Sequence, residues 1–286
     1  MTHPTAQDAK PSSSDEENGY KVYPSRWFML FVASMLNLTT SMNWITFAAA
    51  ADVSVEFYQI STFQLNLLSM CFVLITIPVG LTAAWLTDTF GLRLTFMIAA
   101  WTNGVGSLLR NISAMDFVPL ENKYSVVLTG QILVACGEKF VMMMPTKLAA
   151  IWFPENQRAL ANMLGGITDA LGNMVAFILV PQMVDVKSDI PLMLWVLSVP
   201  ALCLTLVTTI GVRKSVPPTP PSASAATVNK AFYPGLKKLI RNKAYLVLNL
   251  AFGTGFGVYV SILVLLEQSL CPRGYSDVII YFFVLY

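Results

Sequence analysis

The chain has 286 residues, 55% of them hydrophobic and only 12% charged, with a net charge of +2 and a mean hydropathy of +0.62. A soluble domain carries about 25% charged residues, so half that share, with long uncharged runs along the whole chain, argues against a soluble α/β enzyme or helical bundle. The net charge is too small to mark a nucleic-acid partner. The single histidine, His3, leaves no material for histidine-based acid–base chemistry, and no metal-ligand or nucleotide motif occurs. No cofactor, no metal and no enzymatic step are expected.

Residues 1–26 form a polar tail, acidic at Asp15, Glu16 and Glu17. The uncharged run 27–51 is too long for the apolar part of a cleaved signal and reads as the first membrane helix. Further runs follow at 63–87, 94–109, 125–146, 159–184, 190–212 and 244–266, the fourth helix interrupted by Glu138 and Lys139 and the fifth by Asp169. A span needs about 20 apolar residues; the third run is short, and Arg110 is expected to snorkel and extend it. The sequon Asn111-Ile112-Ser113 abuts that helix and is not expected to carry glycan. The four cysteines, Cys71, Cys136, Cys203 and Cys271, lie far apart, and the first three read as packing.

Residues 213–243 are the only long internal connection. It opens on a proline-rich stretch, Ser215 to Pro221, and closes on the basic amphipathic segment Leu236 to Lys243, suited to a membrane surface. A last apolar run, 278–286, would rise about 14 Å as a helix and cannot span. Positive charge sets the expected orientation. With a cytoplasmic N-terminus, twelve basic residues lie inside, including Arg93, Arg158 and seven in 213–243, against four outside: Arg110, Lys123, Lys187 and Arg273.

Six helices, a long basic linker and a new set of helices resemble the plan of the major facilitator superfamily, whose two six-helix halves rock around a central site. Asp88-Thr89-Phe90-Gly91-Leu92-Arg93, between helices two and three, is similar to the superfamily's loop motif, with Ala84 where its first glycine stands. The resemblance implies a gate in which Asp88, Gly91, Arg93 and Arg158 make contacts that break on opening. A narrower likeness rests on Tyr23-Pro24-Ser25-Arg26-Trp27, Asn43-Trp44-Ile45, Gly130-Gln131 and the stretch Pro145 to Glu155. These look like solute carrier family 49, the relatives of the feline leukaemia virus subgroup C receptor. Asp189 to Met193, Ser215 to Ser222 and Leu266-Glu267-Gln268 resemble one member of that family in particular. Family members have been associated with haem export and with choline or ethanolamine uptake.

Helix one carries Asn37, Thr40, Ser41 and Trp44 on one face, a polar stripe ending in an indole. Tryptophan is the strongest cation–π partner for a quaternary ammonium. The resemblance implies that Trp44, Tyr259 and Gln268 line a solute site. It also shows Asp169-Ala170 where choline-moving relatives carry Asn-Gln. Trp44 packing in the core, or in an outer aromatic belt, stands as the alternative. Ionisable residues inside a membrane are functional candidates, and equal depth in the bilayer suggests that Lys139 meets Asp169. That contact would either neutralise two charges or couple a proton. Glu138 and Lys139, as sequence neighbours, are not expected to pair.

The sequence thus reads as an all-α integral membrane protein of the major facilitator fold, N-terminus cytoplasmic, in the plasma membrane or an endomembrane. Its expected parts are a tail (1–26), a six-helix half (27–212), a linker (213–243) and the start of a second half (244–286) with helix seven and part of helix eight. A complete facilitator has twelve helices, so a truncated product or a piece of a transporter is expected. Its expected partners are the lipid bilayer and a small organic solute, a cationic amine or a haem-like compound. The alternative is a non-transporting isoform or receptor that binds a full-length copy or a C-terminal half.

Overall fold

The computed structural model describes residues 19–227 and 232–270, and their regular elements are all helical. In chain order these are α1 (Ser25–Ile45), α2 (Ala51–Tyr58), α3 (Thr62–Phe90), α4 (Leu92–Ser113), α5 (Leu120–Trp152) and α6 (Glu155–Met183). A 3-10 turn (Lys187–Asp189), α7 (Ile190–Gly211), α8 (Ala223–Ala226), α9 (Phe232–Arg241) and α10 (Lys243–Leu270) follow. Among the described residues, six segments are long and apolar enough to cross a membrane: α1, α3, α5, α6, Lys187–Gly211 and Lys243–Ile262. The terminal run 278–286 lies outside the described residues.

Two boundaries differ from the sequence reading for physical reasons. The first apolar run continues to residue 51, but α1 ends at Ile45 and the chain turns before restarting as α2. Residues 44–51 are apolar or buried because they plug one end of the bundle, packing with Tyr58, Phe72 and Phe177, rather than because they face lipid. In α4, Arg110 does not snorkel. The helix runs on to Ser113 with Asn103, Ser107, Arg110 and Asn111 all buried at 0–1% exposure. A helix walled by other helices needs no apolar surface on that face, which is why α4 falls short of a span by composition.

The bundle forms where α1 packs along α6 and α5, α5 along α4 and α3, and α4 along α7. The α4–α5 contact is backbone-close: a Cβ on Gly106 would meet the Gly130 carbonyl at 2.6 Å. The other faces of α3 and α7 expose Leu74, Ile77, Leu206 and Ile210, the surface a lipid-facing helix presents. Helix α10 stands apart, its apolar stretch unburied, and reaches the bundle through Val260. Helix α9 realises the basic amphipathic segment, with Lys237, Lys238 and Arg241 exposed.

Candidate functional site

The seam between α1 and α6 brings together the first group of candidate residues. Asn37 Nδ2 donates to the Gly165 carbonyl at 3.0 Å and lies 3.4 Å from Thr168 Oγ1. One turn on, Ser41 Oγ donates to the Asp169 carboxylate, with the Asn37 carbonyl also 3.0 Å away. The helices approach this closely because Gly172 has no side chain; a Cβ there would sit 2.4 Å from the Leu38 carbonyl. Asp169 is half-buried, beside exposed Ala170 and Leu171, so its carboxylate stands at the edge of the seam rather than inside it.

The charges inside α5 and α6 pair differently from the sequence reading. Lys139 forms its ion pair with Glu138, not with Asp169, and both side chains are buried. The side chains of neighbours leave a helix about 100° apart, but both are long enough to fold back to each other where no other counter-charge is nearer. Asp169 takes Ser41 instead. It remains close enough to act electrostatically on Glu138 and on the hydroxyl of Tyr259 in α10. The Ser41–Asp169 contact and the Lys139–Glu138 pair are therefore two separate polar groups on α1, α5 and α6, within electrostatic range of each other and of Tyr259.

The predicted polar stripe of α1 divides between neighbours. Thr40 is fully buried and donates to its own helix at Leu36, 2.7 Å away. Trp44 turns toward α3: its indole N–H donates to the Ser69 carbonyl at 3.3 Å, and its ring lies 6.3 Å from that of Phe72. At 6% exposure it packs in the apolar core. Gln268 falls in the last turns of α10, and its side chain lies outside the described residues.

A second polar seam joins α1 to α4 and α5. Asn43 Nδ2 donates to Asn103 Oδ1 and Ser107 Oγ, both at 3.0 Å, and Asn43 Oδ1 accepts from Arg110 at 2.6 Å. The Asn43 carbonyl accepts from both Arg110 and Gln131 at 3.2 Å. Phe47 covers the guanidinium, its ring centre 4.9 Å away. Asn111 donates to Ser107 and to Ser198 of α7 and is buried, which removes it as a glycan acceptor.

At the opposite end of the bundle lies the loop motif. Gly91 adopts φ +81°, a left-handed conformation that glycine alone takes without strain. The expected latch among Asp88, Arg93 and Arg158 is not what forms. Asp88 pairs with Lys147 of α5. The two arginines hold the linker instead: Ser215 Oγ accepts from the Arg93 backbone N–H at 3.1 Å, and Ser222 Oγ from the Arg158 guanidinium at 3.0 Å. The Ser215 carbonyl accepts from the Trp152 indole at 3.2 Å, Ser224 donates to Glu155 at 2.5 Å, and Tyr23 meets Thr219 at 2.9 Å. Residues 215–224 thus lie as a strap across the motif, an arrangement that composition alone cannot specify.

Sequence reasoning missed Lys147, Asn43 and Gln131. A signal existed for the last two, since Asn103, Ser107 and Asn111 recur every four residues and need partners on a facing helix. Lys147 gave only its charge.

The comparisons agree with this architecture. The Major Facilitator Superfamily profile matches residues 27–285. Solute carrier family 49 member A3 of Xenopus tropicalis is 39% identical over 270 residues, covering 93% of this chain and 56% of the relative. The human choline/ethanolamine transporter FLVCR2 is 28% identical, over 90% of this chain and 50% of its own length. The chain thus spans about half the length of these curated relatives. Among solved structures, a bacterial homologue of the lysosomal transporter Spinster, inward-facing, superposes with a TM-score of 0.64 at 13% identity, over 90% of this chain and 58% of that one. A D-xylose–proton symporter gives a TM-score of 0.60 at 16% identity, over 91% and 65%. The helical order, the loop motif and the matched profile place the chain in one family: it belongs to the Major Facilitator Superfamily of membrane transporters.

Proposed function

We propose that the chain forms the N-terminal part of an alternating-access carrier for a small organic cation, with Asp169 as the counter-charge. The observation that carries this reading is the half-buried Asp169 carboxylate, fixed by Ser41 and within electrostatic range of Tyr259, at the junction of the six-helix bundle with α10. A half-buried carboxylate without a cationic partner among the described residues suits an ammonium better than an anion. The FLVCR2 relative is a choline/ethanolamine transporter, and those solutes lie in the same chemical class. Asn37 braces α1 against α6 one turn from the site, and the Glu138–Lys139 pair is internally neutral, which leaves Asp169 as the free charge. The orientation follows the excess of basic residues at the motif end, with the N-terminus and the strap in the cytoplasm. The test is uptake by the full-length protein in liposomes, comparing labelled choline, ethanolamine, haem and an organic anion. Uptake of an amine, competed by other cations, is the expected result; uptake confined to the anion or haem overturns it.

A second reading rests on α10, whose apolar stretch is unburied. Such a surface suits packing against further transporter helices, whether a C-terminal half or a full-length copy, and co-purification with a tagged full-length copy tests it.

A further inference from the structure

The seam around Asn43 contains a charge that nothing in the proposed transport site uses. Arg110 is 1% exposed and lies one turn from the α2 end of α4. Among the described residues the ion pairs are Lys139 with Glu138, Lys147 with Asp88 and Lys187 with Glu56, so no carboxylate pairs with Arg110. Its NH1 group is taken by Asn43. Its Nε and NH2 groups, which form the side edge of the guanidinium, have no hydrogen-bond partner. That edge is the two-pronged fork with which arginine grips an anion.

The neighbours supply polarity but no negative charge. Phe47 offers its ring face, and Asn43 and Gln131 are neutral amides. Tyr58, whose hydroxyl meets Ser113 at 2.9 Å, is pushed up to about 12 by burial and stays protonated. Ser54, on the same face of α2 as Tyr58, holds a second buried hydroxyl without a partner. The Gln131 amide, whose Oε1 is also unpartnered, is neutral and leaves the charge uncompensated whichever way it is turned. A lone cation walled from water in a membrane protein is expensive.

We propose that Arg110 holds a small monovalent anion of chloride size, gripped by Nε and NH2 and sealed between α1, α2, α4 and α5. The site is separate from Asp169, and its role is to complete the fold at the α2 end rather than to carry cargo. Because the residue is fully buried, the anion exchanges only when this end opens.

Thermal unfolding of the full chain in lipid nanodiscs tests the site, with sodium chloride or bromide exchanged for sodium gluconate at constant ionic strength. The expected result is a Tm higher by about 3 °C or more in either halide. Gln131→Glu gives up the bond to the Asn43 carbonyl but supplies a carboxylate from the side chain that meets Arg110 at that carbonyl, and is expected to fold with a Tm insensitive to halide. Arg110→Gln is expected to lose the response as well. A native Tm identical in halide and gluconate overturns the proposal and leaves the free edge to water. A Gln131→Glu protein that responds as strongly as the native one overturns it equally. Should Arg110→Gln fail to fold, the native and Gln131→Glu measurements decide between these outcomes.

Discussion

Two polar seams leave the same helix, α1, in different directions. Toward α4 and α5, Asn43 bonds Asn103, Ser107, Arg110 and Gln131 in a sealed interior. Toward α6, Asn37 and Ser41 meet Gly165 and Asp169 at an edge that stays half-open. Both are rich in amides and hydroxyls, and both would be flagged alike by the rule that polar groups inside membranes are functional. Access separates them. The closed seam joins helices; the open one leaves a carboxylate half-exposed at its edge.

The largest expected effect lies on the closed side. Gly130→Val forces a side chain into the Gly106 carbonyl, 2.7 Å from the first added atom, and should yield no monodisperse folded protein by size exclusion. Next is Asn43→Leu, which removes the side-chain acceptor of a buried guanidinium and the amide that donates to Asn103 and Ser107. It should cost about 3 kcal/mol and lower Tm by about 6–12 °C in nanodiscs. If that variant melts like the native protein, the structural role of the seam is wrong. On the open side, Ser41→Ala should leave Tm within about 2 °C and raise KM for a cationic solute about tenfold, because only the fixing of Asp169 is lost. The smallest effect belongs to the strap. Ser215→Ala frees the Arg93 N–H, and tryptic cleavage at exposed Arg213 and Lys214 should quicken about fivefold with Tm unchanged.

Helix positions were legible because lipid demands long uncharged runs, and α3, α5, α6 and α7 follow them closely. The exceptions are those where protein replaces lipid. Arg110 read as a snorkelling end because a sequence does not say what covers a residue. The α1–α2 turn was invisible because its apolar residues plug the bundle. In the candidate site, Ser41 and Asp169 were both identified, yet their pairing was not, since depth along a helix fixes height and leaves direction around the axis free. Lys139 went to Glu138 for the same reason. The strap depends on serine hydroxyls whose partners lie more than 60 residues away, and nothing local encodes that.

Asp169→Asn tests the distinction most directly, because it keeps the size of the side chain and an acceptor for Ser41 while removing the charge. Labelled amine uptake by the full-length protein in liposomes should fall about 10- to 100-fold relative to the native protein, with Tm within about 2 °C. Uptake at the native rate by a well-folded Asp169→Asn protein would contradict the account.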